Sequence, residues 1–451
     1  MQLNGRTVGR RCGPFLALLG ATLMVQPATP REKTMEAVKE QCQAYVAGFL
    51  SPATDLCYGK RLDTPKGVAI LESPENIAKE QVGEISRPWG YGAGIEDVAL
   101  QNGYLLFALC DAYDTTRDPF FAELAKRIFQ GMRRIATCSP VPGFVPRGPH
   151  PDGISYYRDS STDQHTLFVC ALWRYIHSPI ASEEERAFAR SSLLAVAARL
   201  ERNGWVLKVE DDSRTAHVGW NWSAKTEGSA GIFLSTLGAV ADATGAPHWQ
   251  ERYRHFADEE DGVRWNRLAE DPPASPRYTL FYNQHVFRLA TLARLEADPV
   301  RNRLVWDRLA RTARHMLTCD ALTEWRPLDW LGNLPQEQIH EFLGTLSLEP
   351  GQPRTVRELW NLYEQNQYSP PMSWDKRRRS YSGLCARAPL ISWQCALLSR
   401  DPELCRQMAP LAEEVLGKID LAREPSGWVA NEAIVFLLLN LAADIKPSAH
   451  E

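Results

Sequence analysis

Apolar residues recur at three- and four-residue spacing through most of the chain, in segments near 33–50, 96–115, 118–136, 163–177, 182–203, 227–244, 247–269, 282–296, 299–318, 386–399, 402–416 and 429–444. That period draws an apolar stripe along an α-helix, and few of the segments alternate as a strand would. Clusters of Gly, Pro, Asn and Asp separate them. Several neighbours are joined by very short turns with Pro just inside the next helix, at 115–119, 178–182, 244–247 and 298–299. Such connections predict antiparallel helical hairpins.

The two helices of each hairpin differ in kind. The first is apolar or small on nearly every face, as in 98–109, 166–173, 229–240 and 286–295. The second carries charge on one side, as in Phe120-Ala-Glu-Leu-Ala-Lys-Arg-Ile-Phe129 and Ser182-Glu-Glu-Glu-Arg-Ala-Phe-Ala-Arg190. A helix apolar all round has to be buried all round, and one with a single apolar stripe lies at the surface. Alternation of the two kinds therefore predicts an inner and an outer layer. Each inner helix opens on an acid or amide followed by an apolar run: Asp97, Asp163-Gln164, Glu227, Gln284-His285 and Glu432. The heads at 97, 163, 227 and 284 are 66, 64 and 57 residues apart, an internal repeat of one hairpin per unit. With the segment near 386–399 as a further inner helix, the pattern predicts an all-α protein, an (α/α)6 toroid of six helical hairpins. Loops entering the inner helices are long and rich in Gly, Trp, Tyr, Arg and His, which puts the functional face at the inner N-termini.

Composition narrows the class. Of 451 residues 44% are hydrophobic and 24% charged, with 51 Lys and Arg against 55 Asp and Glu and a net charge of −4. No basic excess is present to attract a polyphosphate, so a nucleic-acid partner has no electrostatic support. Trp is as numerous as Tyr, 14 each, and its broad apolar face with one N–H suits amphipathic ligands such as sugars. Arg6, Arg10 and Arg11 precede an apolar run from Cys12 to Val25 that ends in Gln26-Pro-Ala-Thr-Pro30. A basic start, a short apolar stretch and a small-residue exit predict a secretory signal peptide over 1–30, weakly similar to a twin-arginine signal. The remainder, 31–451, is expected to be one exported toroid domain with no membrane span and a long insertion near 319–385. Losing three Arg and no acid would take its charge from −4 to −7. Beyond Cys12 there are nine cysteines with no C-x-x-C and no zinc spacing. Cys110 and Cys170 read as core residues, and Cys42 with Cys57 as a candidate bridge. No H-E-x-x-H or comparable spacing points to a metal, and no cofactor is expected.

Twelve alternating helices with polar groups at the inner N-termini resemble the six-hairpin glycosidase superfamily over nearly the whole mature chain. More narrowly, Asp97 heads an apolar helix that runs into Ala112-Tyr-Asp-Thr-Thr-Arg-Asp118, and Asp163 heads the next inner helix. That layout is similar to the unsaturated glucuronyl and rhamnogalacturonyl hydrolases. The resemblance implies that one such Asp supplies a proton to the C4–C5 double bond of a terminal unsaturated uronic acid and activates the water that hydrates it. Two positions depart from those families. Glu96 stands where a His commonly precedes the first Asp, and Lys225-Thr-Glu-Gly-Ser229 replaces an Arg-Gly-x-x-Trp feature.

Read from the residues themselves, Asp163 lies in Tyr156-Tyr-Arg-Asp-Ser-Ser-Thr-Asp-Gln-His165, the densest polar stretch of the chain. An acid in a first helical turn also serves the dipole, and Ser161 or Thr162 is placed to cap. Asp97, Glu227 and Glu432 recur at equivalent positions, however, and capping alone does not explain several acids converging on one mouth. Desolvation or a second carboxylate shifts a carboxyl by several pKa units, the dipole by less than about one. Asp97 and Asp163 are therefore expected to face each other as the catalytic pair, one protonated and one ionised. Arg147, in the Pro/Gly loop 144–153, is expected to project and bind a uronate carboxylate through two hydrogen bonds. His165 and His285 are candidate partners for sugar hydroxyls, with Glu227, Gln284 and Glu432 beside them at the helix heads. Trp220 and Trp222 offer stacking faces. Trp374, next to Lys376-Arg-Arg-Arg379 and Tyr381, belongs to an insertion read as a lid or cleft wall.

The expected function is a secreted carbohydrate-active enzyme, a glycoside hydrolase acting on uronate-containing oligosaccharides by Asp acid/base chemistry. Two alternatives stay open on the sequence: a polysaccharide lyase on the same toroid, with His or Tyr as base, and a non-catalytic glycan-binding toroid.

Overall fold

A computed structural model describes residues 30–79, 81–82, 85–86, 90, 92–271, 279–319, 372–374, 377–379, 381–417, 419–424 and 426–443. The expected leader, Pro30 apart, and most of the insertion near 319–385 lie outside the described residues. The helices are α1 (Pro30–Phe49), α2 (Pro74–Lys79), α3 (Val98–Thr116), α4 (Pro119–Thr137), α5 (Thr162–Ile176), α6 (Glu183–Arg202), α7 (Glu227–Thr244), α8 (Pro247–Ala269), α9 (Thr279–Leu295), α10 (Pro299–Cys319), α11 (Tyr381–Ser399), α12 (Pro402–Leu416) and α13 (Gly427–Ala443). Three short antiparallel hairpins accompany them: β1 (Leu50–Ser51) with β2 (Leu56–Cys57), β3 (Gln81–Val82) with β4 (Ile85–Ser86), and β5 (Met372–Trp374) with β6 (Arg377–Arg379).

Helices α3, α5, α7, α9, α11 and α13 pack each against the next, and α13 closes back on α3. Each is backed by an outer helix: α4 on α3, α6 on α5, α8 on α7, α10 on α9, α12 on α11 and α1 on α13. The chain is an (α/α)6 toroid, as the alternation predicts. Burial explains the two layers. Every residue from Val98 to Cys110 in α3 is buried, whereas α4 buries a stripe through Phe121, Leu124, Ile128, Met132 and Ile135. Two outer helices, α4 and α6, begin on strong caps. Asp118 accepts from the Phe120 N–H at 2.9 Å beside Pro119, and Ser182 with Glu185 forms a reciprocal capping box. At Gly103 a Cβ would stand 2.9 Å from the Leu167 carbonyl oxygen, so α3 and α5 lie at a spacing that only glycine permits.

One expected helix is broken. The apolar period over 247–269 reads as continuous, but α8 is interrupted where Glu260, Asp261 and Gly262 take φ of 46°, 54° and 78°. The Glu259 carboxylate there meets Arg264 at 2.6 Å and Lys225 at 3.8 Å, and Asp and Gly tolerate the left-handed backbone that follows.

Toward the C-terminal ends of the inner helices, Asp111 of α3 sits between two guanidinium groups. Arg174 of α5 reaches it at 2.7 Å, and Arg294 of α9 donates two hydrogen bonds at 2.8 and 2.7 Å. Arg174 also pairs with Asp114. These contacts tie together the helices whose opposite ends carry Asp97, Asp163 and Gln284. Cys110 and Cys170 are core residues. Cys42 and Cys57 are free thiols, not a bridge; each is enclosed in the core, and burial pushes it up to about 12. Among the described residues no helix is long and apolar enough to cross a membrane.

Candidate active site

Asp97 occupies the N-cap of α3, yet its side chain makes no cap hydrogen bond. The donors that an N-cap would serve are satisfied from elsewhere. The Leu100 N–H is accepted by Gln164 Oε1 at 2.9 Å, and the Ala99 N–H by the Arg147 carbonyl at 3.2 Å. The same Gln164 turns its Nε2 to Asp97 Oδ1 at 2.8 Å, and Arg147 Nη1 approaches that oxygen at 3.5 Å. A residue of the next inner helix thus does the capping, and the Asp97 carboxylate, 11% exposed, faces Gln164 and Arg147 instead of its own helix N-terminus. Glu96 folds back onto the N–H groups of Gly92 and Gly94.

Asp163 lies in the first turn of α5 and is partly exposed. Its Oδ1 accepts from the Ser161 hydroxyl and from the Gln164 N–H at 3.2 Å; its Oδ2 accepts from Gln284 Nε2 at 3.3 Å. Gln284 is oriented in turn by Arg288, whose Nη2 donates to Gln284 Oε1 at 3.1 Å and to Thr166 Oγ1 at 2.6 Å. Gln164 therefore links the two aspartates directly, its main chain to Asp163 and its side chain to Asp97.

The third head, Glu227, begins α7, where Thr226 caps the Ser229 N–H at 3.3 Å. Glu227 pairs with Arg308, and burial raises its pKa against that partner. His285 lies beside them. Burial, with Arg288 and Arg308 nearby, lowers its pKa to about 3, so the ring is neutral near pH 7. Glu227, His285, Arg288 and Arg308 share the lining of a small cavity between α7, α9 and the outer layer.

Other expected site residues lie elsewhere. Arg147 does not project from its loop: it is 1% exposed and bonds the Glu96 carbonyl at 3.1 Å besides facing Asp97, because the loop folds under the head of α3. His165 is enclosed, with Nδ1 2.9 Å from the Ser160 hydroxyl and its pKa lowered to about 3 by burial. Trp222 is 0% exposed and donates to Thr162 Oγ1 at 3.1 Å, anchoring the start of α5 instead of offering a stacking face. Trp220 is 49% exposed. Glu432 is buried in the second turn of α13, where Gln394 Nε2 bonds its Oε2 at 2.8 Å; the helix begins five residues before it, at Gly427, which draws the acid into the ring. Trp374 ends strand β5, and its side chain lies outside the described residues. Among the described residues no group of three or more His, Cys, Asp or Glu is placed to hold a metal ion.

Two contributors do not stand out in the sequence. Gln164 shows only as an amide beside a repeat acid, and Arg288 as a cation inside an otherwise apolar inner helix. Gln164→Leu keeps the volume but removes both the acceptor for Leu100 and the donor to Asp97. It is expected to lower stability by about 1–3 kcal/mol, seen as a lower urea midpoint at unchanged m-value; an unchanged midpoint would contradict the capping role.

No protein-family model matches the sequence, and no curated protein matches it. Among solved structures, the chain is similar to a sugar epimerase from a ruminal bacterium, at 10% identity over 90% of this chain and 98% of that one, with a TM-score of 0.43. It is also similar to cellobiose 2-epimerase from Spirochaeta thermophila DSM 6192, at 14% identity over 93% and 100% of the two chains, with a TM-score of 0.42.

Proposed function

We propose that the chain is a carbohydrate-active enzyme, a glycoside hydrolase acting on an acidic, uronate-containing oligosaccharide through Asp163 and Asp97. The observation that carries this reading is the relief of Asp97 from its helix cap by Gln164, which brings its carboxylate into one hydrogen-bonded group with Asp163. A helix that needed only an N-cap would use the aspartate already there.

On a terminal unsaturated uronide the chemistry balances within this pair. A protonated aspartate donates its proton to C4 of the C4–C5 double bond. The resulting carboxylate takes a proton from water as the hydroxyl adds to C5, and the hydrated product opens to release the aglycone. Asp163, in the first turn of α5, is the acid/base, and Asp97, held by Gln164 and Arg147, is its charged neighbour. A screen of saturated and Δ4,5-unsaturated uronides tests the reading. Absorbance of the unsaturated uronate is expected to fall with time. A rise on saturated polymer would mean a lyase, and binding with no change in either would mean a glycan-binding toroid.

A further inference from the structure

Six arginines are buried among the described residues: Arg147, Arg174, Arg199, Arg264, Arg288 and Arg308. Five of them have a carboxylate partner. Arg147 faces Asp97 at 3.5 Å, Arg174 meets Asp111 at 2.7 Å, Arg199 meets Asp212 at 2.6 Å, Arg264 meets Glu259 at 2.6 Å, and Arg308 pairs with Glu227. Arg288 is the exception. It is 1% exposed, its Nη2 is taken by two neutral oxygens, on Thr166 and Gln284, and its buried Nε has no hydrogen-bond partner. Among the described residues no carboxylate lies in ion-pair contact with it, although Asp163 is close enough to feel its charge. A guanidinium removed from water without a counter-ion is costly, and folded proteins tolerate one where an anion completes it.

Its position says which anion. Arg288 stands one helical turn beyond Gln284, and Gln284 bonds the Asp163 carboxylate. Arg288 and Arg308 together line a cavity of about 10 Å³, too small for a sugar, and set two guanidinium groups there against the single carboxylate of Glu227, with His285 neutral near pH 7. The lining is one positive charge in excess. A guanidinium also presents the planar fork that a carboxylate matches in two hydrogen bonds. We infer that Arg288 is the receptor for the carboxylate of an acidic sugar bound beside Asp163, an inference that rests on the reading above. Arg147, the residue the sequence suggests for this task, is already engaged with Asp97 and the Glu96 carbonyl.

Calorimetric titration of the full chain with D-glucuronate and with D-glucose tests the assignment. Glucuronate is expected to bind in preference to glucose, and Arg288→Met to weaken glucuronate by about 10- to 100-fold while leaving glucose unchanged. If that variant does not fold, Arg288→Lys, which keeps the charge and loses the fork, should still weaken glucuronate. Equal glucuronate binding by wild type and variant, or no preference for glucuronate over glucose in the wild type, overturns the inference. The two readings fail separately. Arg288-dependent glucuronate binding without turnover of any uronide removes the hydrolase and leaves this site. Uronide turnover whose KM ignores Arg288→Met does the reverse.

Discussion

Asp163→Asn is expected to reduce turnover of an unsaturated uronide by about 10³-fold or more while the protein stays folded. Acid/base catalysis by one positioned side chain contributes roughly 10²- to 10⁴-fold, and on the proposed scheme Asp163 both gives and takes the proton. The fold should tolerate the change. An asparagine oxygen still accepts from the Gln164 N–H and the Ser161 hydroxyl, and only the contact with Gln284 Nε2 turns from attraction into a meeting of two donors. Steady-state kinetics with far-UV circular dichroism checks both halves. Retained turnover would remove Asp163 from the mechanism, whatever the fate of Asp97.

The largest effect on stability is expected at the other end of the same helices. Asp111→Asn leaves Arg174 and Arg294 with a neutral amide between them, and breaking a buried pair by removing one partner costs about 3–5 kcal/mol. Burial alone would raise the Asp111 pKa. The charges of Arg294 and Arg174 and their hydrogen bonds outweigh it and hold the carboxyl well below the usual range. A carboxyl with a depressed folded-state pKa contributes stability that is complete above its unfolded value, about 4, and is lost as pH falls toward the folded value. The gap between wild type and Asp111→Asn should therefore be full at neutral pH and narrow once pH drops below about 4. Urea midpoints at pH 7 and pH 3 check this, and a gap independent of pH would show that the effect is packing and not charge. Because Asp111, Arg174 and Arg294 join α3, α5 and α9, the variant should also loosen the relative placement of Asp97, Asp163 and Gln284.

The layers of the toroid were legible because they depend on a local property. Whether a helix is apolar on all sides or on one is written in 15 to 20 consecutive residues, and Val98–Thr116 against Pro119–Thr137 shows the contrast plainly. The heads of the inner helices were legible as a group but not one by one. Asp97, Asp163 and Glu227 do fall at or next to helix starts, whereas Gln284 and Glu432 lie five residues inside helices that begin at Thr279 and Gly427. The sequence repeat therefore aligned residues whose distances from their helix starts differ by more than a helical turn. Arg147 and Trp222 misled for another reason. A polar or aromatic residue in a Gly- and Pro-rich loop looks exposed, but here the loops fold under the helix heads and use these side chains to satisfy buried backbone and hydroxyl groups. His165 lies inside α5, which is buried on every side there.

By itself, then, the sequence determined an all-α chain of inner and outer helices, the ring they form, and the end of the ring at which acids gather, because hydrophobic period and turn chemistry act over short distances along the chain. Only the tertiary structure decided which groups meet there. Gln164 reaches Asp97 and Leu100 from 64 to 67 positions away, Gln284 reaches Asp163 across 121, and Arg288 is left, among the described residues, as a buried cation without a carboxylate. Those meetings depend on how each inner helix is rotated and how far it is advanced in the closed ring. Close packing between helices such as α3 and α5 at Gly103 sets both, and no local pattern encodes them.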